Sequence, residues 1–309
     1  MRDFREEDVA FHSEGAHIRG TLTVPTMDGR RPAVIWSHGY GGYSNVLGAP
    51  LVKVRLVERG FVFLAIDHRG CGASQASPRG RCVQGIESVL DLVHAITYVR
   101  SRPDVDGERI GLVGESHGGA TVLMSGALDD RVRAVVATDA FADGRAWLAQ
   151  MWEKKAGLAA FDRLMQKTAE ALRTEVLTGV ITHVPVPEVI PYGETELQLV
   201  HQLWRDHPLW SRDASLATVE SIGLLAPLCV AARLSSRRVR LIHGEDDSTV
   251  PVDDATKLHQ AIPRSDLRVL RGVGHGVTFS DRSTEVLDLI EEWFEHSLSD
   301  QRVSPMTSR

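Results

Sequence analysis

The residues best able to do chemistry are a serine and a histidine, each set between small residues and far apart in the chain. Gly114-Glu115-Ser116-His117-Gly118 follows the apolar run 110–113 and opens a stretch of small and apolar residues over 117–128. A strand, a sharp turn and a helix is the setting in which a serine projects from the turn, with small neighbours letting strand and helix pass closely. A serine hydroxyl is a poor nucleophile at neutral pH and needs a base to take its proton during attack. Imidazole suits that task because its pKa lies near working pH. Gly274-His275-Gly276, just before the last helical pattern, supplies a candidate base. A carboxylate on the far ring nitrogen would hold the correct tautomer and stabilise the imidazolium. Three aspartates compete for that position: Asp247, its neighbour Asp246, and Asp139 at the end of an apolar run.

Further motifs stand in a fixed order around these. His38-Gly39-Tyr40-Gly41-Gly42 ends one apolar run, and Asp67-His68-Arg69-Gly70-Cys71-Gly72-Ala73-Ser74 follows the next. His243-Gly244-Glu245-Asp246-Asp247-Ser248-Thr249-Val250-Pro251 precedes the histidine motif. Together they resemble the α/β-hydrolase superfamily over nearly the whole chain. The resemblance implies a catalytic triad of Ser116, Asp247 and His275 in the hydrolase chain order, with Asp247 chosen by its spacing to Val250 and Pro251. It implies an oxyanion hole from the backbone N–H groups of Tyr40 and His117. The Tyr40 side chain would wall the pocket or bond substrate, and the His117 ring would support the site without reacting. Asp67 and Arg69 would brace nearby loops.

The reaction this implies is hydrolysis of a carboxylic ester through an acyl-enzyme, with no cofactor. Cleavage of a C–C bond or of a small amide or peptide uses the same triad and remains open. Dehalogenation does not, because it needs a carboxylate where Ser116 stands. A non-catalytic ligand receptor on this fold is disfavoured, since all three triad candidates are present. An ordinary histidine base would make the rate rise between roughly pH 5.5 and 7.5. The 13 histidines are scattered with no H-E-x-x-H, so no metal site is expected. Gly70-Cys71-Gly72 lacks a full phosphate-loop pattern, and Cys71 and Cys82 read as structural thiols with no activating partner in sequence.

The elements that must position these residues are legible as alternating periods. Apolar runs at 18–24, 33–37, 62–66, 110–113, 132–138, 239–243 and 267–270 read as strands, several apolar on both faces. Helical spacing appears at 50–59, 82–100, 117–128, 252–262 and 281–297. The alternation predicts an α/β fold with a mostly parallel, doubly wound sheet, helices on both faces and an antiparallel hairpin over 9–24 at its edge. Residues 141–238 break the rhythm. Spacing there predicts helices at 145–177 and 194–205, and 184–191 reads as a Pro-rich connector. This region reads as a helical cap inserted into a catalytic domain of 1–140 and 239–298, with a disordered tail at 299–309. It holds four of the six tryptophans, Trp147, Trp152, Trp204 and Trp210, which are taken as substrate-binding candidates.

Composition sets the outer bounds. The chain has 309 residues, 43% hydrophobic and 25% charged, with net charge −6. That excludes wholesale disorder and argues against nucleic-acid binding. No membrane helix is expected, the first residues lack the apolar run of a signal peptide, and three cysteines suggest a reducing compartment. The expectation is a cytoplasmic enzyme acting on a small-molecule ester, with no nucleic-acid or membrane partner and with homo-oligomer formation left open.

Overall fold

An eight-stranded sheet runs through the computed structural model, which describes residues 4–299. Residues 300–309, most of the tail expected to be disordered, lie outside the described residues. The strands are β1 (Phe4–Ser13), β2 (Ala16–Pro25), β3 (Arg31–Ser37), β4 (Val62–Ile66), β5 (Val105–Glu115), β6 (Val132–Thr138), β9 (Arg238–Gly244) and β10 (Asp266–Leu270). Their order is β1-β2-β4-β3-β5-β6-β9-β10. The pairs β1–β2 and β2–β4 are antiparallel, and all others are parallel. The hairpin joining β1 to β2 turns on Glu14 and Gly15, both at positive φ, which matches the twist of the flanking strands.

Side-chain alternation explains the layers. Ile35, Leu64 and Leu112 point into one core, shared with Leu92 and Ile96 of α2 (Ile86–Arg100), Val122 of α3 (His117–Leu128) and Leu258 of α9 (Val252–Ala261). Trp36, Phe63 and Val113 point the other way, onto Leu56 of α1 (Ala49–Glu58) and Phe294 of α10 (Ser283–Ser297). Strands buried on both faces need apolar residues at both parities, which is why these runs read as continuous.

The segment between β6 and β9 holds α4 (Gly144–Ala156), α5 (Leu158–Thr178), α6 (Glu194–Asp206), α7 (Ala217–Leu224) and α8 (Pro227–Val230). It also holds two three-residue strands, β7 (His183–Pro185) and β8 (Asp213–Ser215), which pair antiparallel. Strands this short carry no readable alternation, so the sequence did not announce them. The segment builds a third core in which Trp147, Phe161 and Val189 join Cys71, Cys82 and Ala120 of the sheet domain.

Two local expectations are corrected. The helix expected from residue 82 starts at Ile86, because Cys82 and Gly85 hold positive φ of 50° and 155° that a helix cannot use. Ala217–Ser236 is long and apolar enough by composition to cross a membrane, where no such stretch was expected. It is not a single rod: α7 ends at Leu224, Pro227 restarts the chain, and half of the stretch is buried within the protein.

Close approach of α3 to β3 rests on glycine. A Cβ on Gly118 would collide with the Ser37 carbonyl, whereas one on Gly223 inside α7 meets nothing nearer than Arg145 Cβ at 3.8 Å. Gly118→Ala is therefore expected to cost about 1–3 kcal/mol in urea unfolding. Gly223→Ala should be neutral or stabilise by up to about 1 kcal/mol, since it only removes helix-glycine entropy. Equal effects of the two would contradict the packing described.

Candidate active site

Ser116 occupies the turn between β5 and α3 at φ 54° and ψ −120°, a region that non-glycine residues rarely enter. The turn is held by Ser116 N–H donating to Thr138 O at 2.8 Å, and it packs closely: Gly118 leaves no room for a Cβ on Gly114, and Ser37 leaves none for one on Gly118. The Oγ of Ser116 lies 3.0 Å from His275 Nε2, and His275 Nδ1 lies 2.7 Å from Asp247 Oδ2. The second Asp247 oxygen accepts the N–H groups of Thr249 and Val250, both at 2.8 Å. Ser116, His275 and Asp247 thus form one hydrogen-bonded chain. Asp246 is exposed.

Asp139 does not bond the imidazole. Its carboxylate accepts Gly276 N–H and Val277 N–H at 2.9 Å and Gly244 N–H at 3.3 Å. Atoms of Asp139, Asp247 and His275 nevertheless lie within 4.8 Å of one another. This trio could hold a metal ion by distance alone, but its carboxylates and His275 Nδ1 already serve as hydrogen-bond partners.

These charges set the proton affinities. Burial pushes the His275 pKa down, but the charge and hydrogen bond of Asp247, then Asp139 and Glu115, raise it to about 9. Burial raises the Asp247 carboxyl, and the His275 charge and the bonds from His243, His275 and Val250 outweigh it, holding the group below the usual carboxylate range. Glu115, buried beside Ser116, is pushed up to about 7 by burial and by Asp139, against the hydrogen bond from Thr278. The motif reading left Glu115 without a role. Its proton affinity emerges only from the burial and the nearby Asp139 that the fold imposes.

Tyr40 and His117 flank the nucleophile. His117 is the first residue of α3, where a backbone N–H has no intrahelical acceptor and stays available to a ligand. Its ring is fully buried between Tyr40 and Phe141, and burial lowers its pKa to about 3, so it stays neutral. Gly39 and Tyr40 line the cavity above Ser116, while Gly41 N–H donates to Gln84 Oε1 at 2.5 Å. The Tyr40 hydroxyl reaches Thr218 Oγ1 at 3.3 Å, directed into the protein. Asp67 accepts Ser44 N–H and Ala73 N–H, and Arg69 pairs with Asp91, so both act as loop braces.

A cavity of about 290 Å³ opens over Ser116. Trp147 and Trp210 line it, and Trp147 donates to Thr249 O at 2.9 Å beside the Asp247 loop. Trp152 and Trp204 do not line it, contrary to the sequence reading. Their indole N–H groups bond Val189 O and Ser211 O, and their rings pack within the third core. The wall that was missed is α6, which presents Glu196, Leu199, Val200 and Leu203. Their i, i+3, i+4, i+7 spacing was visible in the sequence, but its direction was not.

The strained serine turn at the end of a central parallel strand, with acid and base on later loops, defines an α/β-hydrolase. Residues 28–282 match the family model described as "Serine aminopeptidase, S33", and the chain belongs to that family of hydrolases. It is 30% identical over 251 residues to an uncharacterized 31.7 kDa protein of Escherichia coli, spanning 81% of this chain and 84% of that one. The crystal structure of a hypothetical protein from Pseudomonas aeruginosa superposes with TM-score 0.81 at 22% identity, covering 96% and 95% of the two chains. Acetyl xylan esterase 1 from Thermoanaerobacterium sp. superposes with TM-score 0.64 at 22% identity, covering 97% and 85%. At such identities the superpositions speak for the fold.

The His275 imidazole is expected to titrate by NMR near 9, above the ordinary histidine range of the sequence expectation. Glu115→Gln removes a negative charge that favours the imidazolium and should lower that midpoint. A group whose folded pKa is raised contributes stability below its unfolded pKa and loses it as pH rises through the folded value. For Glu115, a rise from 4.5 to about 7 corresponds to roughly 3 kcal/mol. Glu115→Gln should therefore raise Tm at pH 8 and change it little near pH 4. A His275 midpoint below 7, or a Tm gain independent of pH, would overturn this electrostatic account.

Proposed function

We propose that the protein hydrolyses carboxylic esters with short-to-medium acyl chains or aromatic groups, by a serine acyl-enzyme route. The observation that carries this reading is the chain from Ser116 Oγ through His275 to Asp247, at 3.0 and 2.7 Å, beneath a mainly apolar cavity of about 290 Å³. Neutral His275 takes the Ser116 proton as Oγ attacks the ester carbonyl. The tetrahedral oxyanion is received by the N–H groups of Tyr40 and His117. The imidazolium then protonates the departing alcohol. Water, deprotonated in turn by His275, releases the acid. Asp247 holds the tautomer throughout. No step calls for a cofactor.

The cavity size supports the substrate class, since its volume sits at the lower end for small-molecule sites. Trp147 and Trp210 offer flat apolar walls, and α6 adds Leu199 and Leu203 at the side. The likeness to an esterase supports ester chemistry by fold analogy only.

Activity should be read on p-nitrophenyl esters of graded chain length and on aromatic-acid esters, beside an aminoacyl anilide and a C–C hydrolase substrate. Ester turnover is expected to lead, and to fall off towards long-chain triglyceride emulsions. Ser116→Ala should abolish turnover and fluorophosphonate labelling while leaving the folded spectrum intact. Asp247→Asn should lower kcat by about 10³–10⁴-fold, and Asp139→Asn by far less. A larger effect of Asp139→Asn would assign the acid to that residue. Faster turnover of the anilide or the C–C substrate would replace the ester reading.

A further inference from the structure

Two thiols that the ester reaction does not use meet behind the oxyanion loop. Cys71 lies on the loop after β4, and Cys82 lies on the segment leading into α2. Their residues are buried, 1% and 0% exposed. The two segments are joined backbone to backbone, with Cys82 N–H donating to Gly70 O at 3.1 Å. Gly70, at φ 75°, makes that approach feasible, since a Cβ there would sit 2.6 Å from the Cys82 nitrogen. Both side chains sit in one buried cluster, with Val89 and Ala120 beside them. Sequence order, which separates them by ten residues, gave no sign of this pairing.

Their surroundings differ in a way that assigns roles. Cys71, Ser211, Tyr40 and the Gly41 backbone draw the Cys82 thiol below the ordinary range, against the opposing effect of burial. Cys71 is pushed well above the ordinary thiol range by its contact with Cys82, by burial and by Asp67. A thiolate-prone sulfur beside a protonated one is the arrangement of an attacking and a resolving cysteine.

A second cavity, of about 230 Å³, lies alongside the pair: it is lined by Gly70 and Gly72, which flank Cys71, and by Arg81, which precedes Cys82. Ser211, Arg212 and Asp213 add polar groups to its wall, so the space suits a small polar oxidant. The pair is wired to the active site as well. Cys82 Sγ donates to Gln84 Oε1 at 3.6 Å, and that same oxygen accepts Gly41 N–H, next to Tyr40.

We propose that Cys71 and Cys82 are a redox modification site, forming a reversible disulfide on exposure to a peroxide and thereby loosening the oxyanion loop. The Cys82 thiolate attacks one peroxide oxygen, the O–O bond breaks, and the departing hydroxide takes up a proton as water. The Cys71 sulfur then attacks the resulting sulfenic acid. The S–S bond forms, and the hydroxyl leaves with the Cys71 proton as a second water. Two thiols are oxidised by two electrons and one peroxide is reduced to two waters. A dithiol reductant reverses the change. Disulfides of this kind inside reducing compartments are characteristically regulatory. The effect on rate rests on the ester reading above, whereas formation of the bond does not.

The test uses the full chain carrying Cys229→Ser, which removes the exposed third thiol. The protein is treated with hydrogen peroxide, quenched, unfolded in an alkylating agent, digested with trypsin and analysed by mass. Cleavage after Arg79 and Arg81 separates the two cysteines, so a linked pair of peptides, two hydrogens lighter than their sum, reports the disulfide directly. The expected result is that linked pair, dispersed by dithiothreitol, and an ester hydrolysis rate at least fivefold lower in the oxidised protein and restored on reduction. Cys71→Ser and Cys71→Ala should retain the rate of the reduced protein and lose its reversible inhibition by peroxide. Full alkylation of both cysteines after peroxide, or oxidation of Cys82 without linkage, would overturn the modification site. A linked protein with an unchanged rate would overturn its coupling to the oxyanion loop. If no ester is turned over at all, the functional reading fails while the mass assay still decides the disulfide.

Discussion

Three loops of the site converge on one buried carboxylate. Asp139, at the end of β6, accepts N–H groups from Gly244 at the end of β9 and from Gly276 and Val277 beside the base. Its own backbone adopts φ 48° to reach them. This arrangement fixes where His275 sits, and therefore whether the imidazole can face Ser116 on one side and Asp247 on the other. The same arrangement gathers the buried carboxyl groups of Asp139, Asp247 and Glu115 around His275. Mutual repulsion and burial would favour their protonation, and a positive imidazolium among them relieves part of that cost. The high proton affinity of His275 comes from these carboxylates, and the raised pKa of Glu115 comes first from burial and then from Asp139.

The opposite wall is braced by a second buried network, built from polar side chains without net repulsion. His38 Nδ1 holds Gly39 O at 2.8 Å, its Nε2 accepts His68 N–H, and His68 Nε2 lies 2.8 Å from Ser37 Oγ. Asp67 and Asp91 receive the N–H groups of the neighbouring loop, and Arg69 neutralises Asp91. Buried polar groups that are hydrogen-bonded rigidify their surroundings, although His68 Nδ1 is left without a hydrogen-bond partner. The turn at Tyr40 therefore presents its backbone from a fixed frame, held from outside by Gln84 and Ser211 on Gly41 and by Thr218 on the Tyr40 hydroxyl.

The segment between β6 and β9 shapes the cavity. Its helices contribute Trp147 and the apolar side of α6, and it is tied to the acid loop through Trp147 to Thr249 and through Glu196 to Ser248. Family membership accounts for the sheet and the site motifs, whereas this wall is built by the segment between β6 and β9.

The sheet and its layers were legible in period-two and period-3.6 hydrophobicity, and Ser116 and His275 stood out by the glycines beside them. Asp247 was singled out from Asp246 and Asp139 only by the family resemblance. What stayed hidden depends on residues remote in sequence meeting in space. How α4, α6 and the segment after α6 pack decided that Trp147 and Trp210 line the cavity while Trp152 and Trp204 do not. The proton affinities of Glu115 and His275 depend on carboxylates from β5, β6 and the loop after β9, and the partnership of Cys71 with Cys82 on two loops held together at Gly70. Sequence by itself determined which elements form and which side chains could react. Only the tertiary structure decided which charges, thiols and aromatic rings share a low-dielectric space, because that sharing is set by how the elements pack against one another.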